Sequence, residues 1–129
     1  MKYVIYQLKS GEDQRDLRFL NLKNLLKLKK NPEYSDYACV YTGIIKKGTR
    51  KENMPAVLSH LYETFNFKRP KDFEGHSLSV SDIIVIEQNT GKFQKAEAFY
   101  VDTFGFKECE EFAIEHMINQ NKEHMSCAK

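Results

Sequence analysis

The sequence predicts an α+β fold: one domain with an antiparallel sheet of about four strands and about three helices packed mainly on one face. Three observations predict it. Short runs rich in β-branched and aromatic residues, such as Tyr37-Ala-Cys-Val-Tyr41 and Ile83-Ile-Val-Ile86, read as strands. Apolar residues at helical spacing, as in Val57, Leu58, Leu61, Tyr62 and Phe65, alternate with those runs. The chain of 129 residues is one domain's worth, long enough to bury roughly two-thirds of its unfolded surface without a disulfide or a metal. The expected domain spans residues 1–121, with 122–129 a flexible tail.

Lys2 to Leu8 reads as the first strand, with Tyr3, Ile5 and Gln7 on one face and Val4, Tyr6 and Leu8 on the other. Ser10-Gly-Glu-Asp13 is turn chemistry. Asn21 is a fair N-cap for a helix through Leu22, Leu25 and Leu26, which Asn31-Pro32 stops. Tyr37 to Ile45 is the second strand. Asn53-Met-Pro55 opens the next helix, which runs to about Phe65. Residues 66–76 form a loop. Ile83 to Glu87 is an apolar central strand, and Ala96 to Asp102 returns antiparallel to it after a turn at Gln88 to Lys92. Gly105 breaks the chain. A last amphipathic helix then carries Phe106, Cys109, Phe112, Ala113, His116 and Met117 inward, with Glu108, Glu110, Glu111 and Glu115 outward.

The formal net charge of +2 hides an asymmetry. Residues 1–71 hold fifteen Lys and Arg against seven Asp and Glu, a balance of +8, and residues 72–129 hold five against eleven, a balance of −6. If the halves occupy different faces, the molecule is a dipole. Three cysteines, Cys39, Cys109 and Cys127, at unrelated spacings give no disulfide framework, and reduced thiols fit a cytoplasmic protein. No apolar run approaches the ~20 residues of a membrane helix, so no membrane association is expected.

His76-Ser-Leu-Ser-Val-Ser-Asp82 has the residue types of a hydrolytic triad: a base, hydroxyls and an orienting carboxylate. It lacks the Gly-x-Ser-x-Gly turn that exposes a nucleophile. The favoured reading is structural, with Gly75, His76, Ser79, Ser81 and Asp82 holding the loop that feeds the central strand and Asp82 accepting hydrogen bonds from Ser79 or its neighbours. Asp102 and Gly105 read likewise as turn chemistry, and no catalytic residue is assigned. His124 and Cys127 have the spacing of metal ligands, the weak candidates for a metal site. No cofactor is expected, because no phosphate loop, paired CxxC or dinucleotide fingerprint is present. Candidate binding residues are the basic Arg15, Arg18, Lys27, Lys30, Lys46, Lys47, Arg50 and Lys51, and the acidic Glu108, Glu111 and Glu115.

Three stretches together resemble the YodL-like domain family: Lys2-Tyr-Val-Ile-Tyr-Gln-Leu8 with Arg15-Asp-Leu-Arg-Phe19; Leu61-Tyr-Glu-Thr-Phe-Asn66 with Pro70-Lys-Asp-Phe73; and Gly75-His-Ser-Leu-Ser-Val-Ser-Asp-Ile-Ile-Val-Ile86 with Tyr100-Val-Asp-Thr-Phe-Gly-Phe106 and Phe112. The resemblance covers roughly residues 2–112, and the Gly-His-Ser-Leu-Ser-Val-Ser-Asp run is its specific part. It implies a module of plasmids, conjugative elements and phages of Gram-positive bacteria, often embedded in large polyvalent proteins beside antirestriction and DNA-processing modules. The expectation is a non-enzymatic antidefence protein that inhibits a host factor, with a CRISPR-associated or restriction nuclease as candidate target. The alternative is a nucleic-acid-binding accessory module that uses the basic N-terminal half.

Overall fold

The computed structural model describes residues 1–28, 31–45, 53–90 and 93–123. Five strands form one antiparallel sheet: β1 (Lys2–Leu8), β2 (Tyr37–Ile44), β3 (Ile83–Thr90), β4 (Phe93–Val101) and β5 (Phe106–Glu108), in the order β2-β1-β3-β4-β5. The helices are a single turn, α1 (Glu12–Arg15), and the longer α2 (Leu22–Lys27), α3 (Met54–Phe67) and α4 (Glu110–Glu123). A 3-10 turn, Tyr34–Asp36, leads into β2. The α+β class, the single antiparallel sheet and the three longer helices are as the sequence predicts.

Two local signals act where expected. Asn21 Oδ1 accepts from Asn24 N at 2.8 Å and starts α2, and Asn53 Oδ1 accepts from Ala56 N at 3.1 Å and starts α3. The expected antiparallel return of Ala96 to Asp102 on Ile83 to Glu87 is the β3–β4 ladder, from Ile83↔Tyr100 to Thr90↔Phe93.

Two expectations are corrected. The sheet has a fifth strand, because Phe106 to Glu108 pairs with Val101 to Phe99 instead of opening the last helix, which starts at Glu110. The helices do not pack mainly on one face. On one side Tyr3, Ile5, Ile84, Ile86 and Val101 bury against Val57, Leu58, Leu61 and Phe65 of α3. On the other, Val4, Tyr6, Ile83, Val85 and Tyr100 bury against Leu25 of α2 and Phe112 and Ala113 of α4. Both alternating sets of β1 and β3 are apolar, so water must be excluded from both faces, at about 1.5–3 kcal/mol for each large side chain buried. Cys109 is free, and Cys127 lies outside the described residues. Helix α4 continues through Glu123, and the rest of the expected tail lies outside the described residues. No helix among the described residues is long and apolar enough to cross a membrane.

Candidate functional site

Helix α4 meets the sheet through Phe112, Ala113 and His116, spaced as one inward face. His116 is 0% exposed, and its polar ring is paired at both ends. Its Nε2 donates to Glu87 Oε2, and its Nδ1 lies 2.6 Å from the Tyr6 hydroxyl. The Tyr6 hydroxyl is in turn 3.4 Å from that of Tyr34 in the 3-10 turn. The register explains the set. Tyr6, Val4 and Lys2 stand opposite Ile83, Val85 and Glu87, so Glu87 shares the α4 face of the sheet, with Lys2 Nζ 3.8 Å from its Oε1. The hydrogen bond from His116, the imidazole beside it and Lys2 hold the Glu87 carboxyl below the usual range, against the opposing effect of burial. Burial pushes the Tyr6 phenol far up, which keeps it protonated.

Tyr34 lines a cleft of about 630 Å³ between α4 and the 3-10 turn. Pro32, Tyr34 and Ile114 supply apolar surface to it, and Glu33, Glu111 and Glu115 supply carboxylates. Ile114 and Ile118 are 52% and 45% exposed. With Glu111 and Glu115 they fall at i, i+3, i+4 and i+7 and form one outward acidic–aliphatic stripe.

The polar-dense segment builds a second centre where β1 ends and β3 begins. The Gln7 amide acts as a pairing partner for the loop backbone: its Nε2 donates to His76 O at 2.8 Å, and its Oε1 accepts from His76 N at 3.3 Å. Asp82, 1% exposed, accepts at Oδ2 from Ser79 N at 2.8 Å and from Gln7 Nε2 at 3.2 Å. His76 Nε2 is 3.9 Å from Asp82 Oδ1, and the His76 Nδ1–H points at Ser77 O, 2.7 Å away. Burial raises the Asp82 carboxyl to about 7, although the hydrogen bonds from Ser79 and Gln7 and the charge of Arg18 oppose the shift. Ser81 holds a left-handed φ of 86°. Its Oγ accepts from Phe19 N at 3.1 Å, and its carbonyl accepts from Tyr37 Oη at 2.7 Å. The Ser79 hydroxyl donates to Ser77 O at 3.3 Å. The Ser79 and Ser81 hydroxyls are thus engaged with backbone groups, and the segment acts as a hydrogen-bonded clasp.

The family profile of the YodL-like domain matches residues 2–112. The chain belongs to the YodL-like domain family. No curated protein and no solved structure matches it. The matched span takes in the whole clasp, Tyr6, Glu87 and Tyr34, and reaches the first turn of α4. His116, Ile114 and Glu115 lie beyond it.

In this YodL-like domain, Asp102 and Gly105 form the turn between β4 and β5. Asp102 Oδ1 accepts from Thr103 N at 2.8 Å and from Leu22 N at 3.1 Å, which ties the start of α2 to the sheet. Gly105 holds φ 78°, where a Cβ is strained. Glu111 and Glu115 are exposed on α4 as expected, but Glu108 lies on β5, because the helix starts after it. Arg15, Arg18 and Lys27 are exposed around α1 and α2. Lys30, Lys46, Lys47, Arg50 and Lys51 lie outside the described residues, as do His124 and Cys127. Among the described residues no group of three His, Cys, Asp or Glu is placed to hold a metal ion. Sequence reasoning missed Glu87 and Tyr6 as partners of His116. The one available signal was parity: Glu87 continues the Ile83, Val85 side of its strand and is the first charged residue there.

Proposed function

We propose that this YodL-like domain is a non-enzymatic, cytoplasmic protein of a mobile element that binds and inhibits a host defence factor, the candidate target being a CRISPR-associated or restriction nuclease. The observation that carries this reading is the outward stripe of α4. Glu111, Ile114, Glu115 and Ile118 are not used by the protein's own core, which takes Phe112, Ala113 and His116. An acidic stripe interleaved with aliphatic side chains suits a basic, partly apolar protein surface, and the nucleic-acid channels of nucleases are basic. Complementary charge of this kind sets association rate and partner choice. The mobile-element setting comes from the family resemblance and from no side-chain geometry.

The test is affinity capture from bacterial lysate with the wild-type chain and a Glu111→Lys, Glu115→Lys variant, read by mass spectrometry and followed by a cleavage assay on any nuclease recovered. The reading expects a nuclease captured by the wild type, lost in the variant and slowed in cleavage. Capture of no defence nuclease refutes it. Exposed Arg15, Arg18 and Lys27 favour a second reading, a nucleic-acid-binding module. If about four cations neutralise phosphates, log affinity for duplex DNA falls against log salt with a slope of about −3 to −4, and a flat response removes that reading.

A further inference from the structure

Among the described residues, the cleft between α4 and the 3-10 turn is one-sided in charge. Glu33 stands on one wall, and Glu111 and Glu115, about one turn apart, stand on the other. None of the lining residues is Lys or Arg, and none of the three carboxylates is ion-paired among the described residues. Like charges gathered around a concavity with low-dielectric walls focus a negative potential into it.

Tyr34 adds an independent preference. Its ring is braced from within by Tyr6 at 5.5 Å and Phe112 at 5.4 Å between centroids. Its hydroxyl ends the chain that starts at Glu87. The Tyr6 hydroxyl, 2.6 Å from His116 Nδ1 and also hydrogen-bonded to the Gln120 side chain, lies 3.4 Å from the Tyr34 oxygen, and either of the two phenols can be the donor. In either arrangement the Tyr34 oxygen keeps a lone pair for a further donor. A braced aromatic ring, an accepting phenol and carboxylates on two walls suit a planar cation. Arginine meets that description better than lysine. Its guanidinium is weakly hydrated, forks onto carboxylates and stacks on aromatic rings. Pro32 and Ile114 offer apolar surface for its methylene stem.

We propose that this cleft docks an arginine-bearing amphipathic segment of the protein partner, with the guanidinium set between Glu33 and the Glu111–Glu115 wall beside Tyr34. The inference rests on the reading of α4 as a protein-binding face, and it names what that face receives. Arginines are prominent among the groups that hold phosphates in nucleic-acid-binding proteins. A cleft that sequesters one removes it from nucleic acid, which is how docking here leads to inhibition.

The experiment uses the full chain and a short fluorescent helical peptide with two arginines one turn apart beside two leucines, read by anisotropy at low salt. Control peptides carry citrulline or lysine in place of arginine, and backbone amide NMR maps the contact. Loss of the guanidinium charge in the citrulline peptide is expected to weaken binding about tenfold or more, the loss of a charge-assisted pair, with the lysine peptide in between. Glu111→Gln and Glu115→Gln, at exposed positions, weaken the arginine peptide alone. Tyr34 and Ile114 amides shift on binding. Equal affinity for arginine and citrulline peptides, insensitivity to both glutamine variants, or shifts confined to residues 12–28 overturn the proposal. If a captured nuclease keeps its affinity for the glutamine variants, the arginine slot is wrong while the inhibitor reading stands. If the peptide binds as described but no nuclease is captured, the inhibitor reading fails and the slot stands.

Discussion

Replacing Asp82 by Asn tests whether the clasp is held by a protonated carboxyl. The carboxyl is 1% exposed, and burial raises it from 3.8 to about 7. Between those values the folded chain binds one proton at Asp82 that the unfolded chain does not. Stability contributed by this group is therefore complete below pH 3.8, falls by about 1.4 kcal/mol for each pH unit above it, and is lost once the pH passes about 7. The whole swing is of the order of 4 kcal/mol, a large share of a domain's ~5–15 kcal/mol. An amide at this position stays neutral and its oxygen still accepts from Ser79 N and Gln7 Nε2. The expected result from urea unfolding followed by far-UV circular dichroism is a crossing. Asp82→Asn is no less stable than wild type at pH 8 and loses its relative advantage as the pH falls to 4.5. Taking the difference between the two proteins removes every other titrating group that does not couple to residue 82. Asp82→Ala is different, because it leaves the Ser79 N–H and one Gln7 N–H without an acceptor, at about 1–3 kcal/mol for each one buried, at every pH. A wild-type minus Asp82→Asn difference that does not vary between pH 4.5 and 8 refutes the account. So does an Asp82→Asn protein that unfolds at pH 8 as easily as Asp82→Ala.

Three further outcomes follow from the geometry. The Glu87 carboxyl is held low by His116, so its contribution is present above the ordinary glutamate range and is lost as the pH falls through its lowered value; Glu87→Gln is expected to flatten the acid limb of the stability curve, measured by the same unfolding series. A Cβ at residue 75 would sit 2.5 Å from Gln7 Oε1 and 2.9 Å from the Phe73 ring, so Gly75→Ala is expected to cost about 1–3 kcal/mol in thermal unfolding by pushing the Gln7 amide off the His76 backbone. Phe19 holds φ 62° and is 65% exposed, so Phe19→Gly is expected to leave stability equal or raise it by about 1 kcal/mol, and a clear loss in calorimetry would show that the side chain contributes more than the backbone strain costs.

What the sequence made legible was local. The two asparagine caps, the stripe of α3 and the β3–β4 return each depend on residues close in the chain, and each is where its pattern put it. The acceptance of Ser79 N by Asp82 spans three residues and was expected for the same reason. The fifth strand was not legible, because three residues are too few to show a period of two and Phe106 also fits the helical stripe that follows. The two-sided packing was written in the apolar parity of β1, but choosing which helix covers which face requires contacts made across the sheet. The Glu87–His116–Tyr6 set was beyond reach for a related reason. His116 is 29 residues from Glu87 and 110 from Tyr6, and no local pattern pairs them. Gln7 and His76 are likewise 69 residues apart.

The polar tie at His116 bears on the outward face of α4. Phe112 and Ala113 bury area, and area alone tolerates a helix that slides or turns on the sheet, since dispersion and burial have little direction. A ring bonded at both nitrogens does not tolerate it. Turning α4 by one residue, about 100°, would break the bonds to Glu87 and Tyr6 together and leave buried polar atoms unpaired, at about 1–3 kcal/mol each. The same turn would carry Glu111 and Glu115 out of the cleft and bring other residues of α4 to its wall. The rotation that satisfies His116 is therefore the rotation that sets two carboxylates opposite Glu33. In this way a buried histidine, itself out of reach of any partner, fixes the surface that a partner would meet.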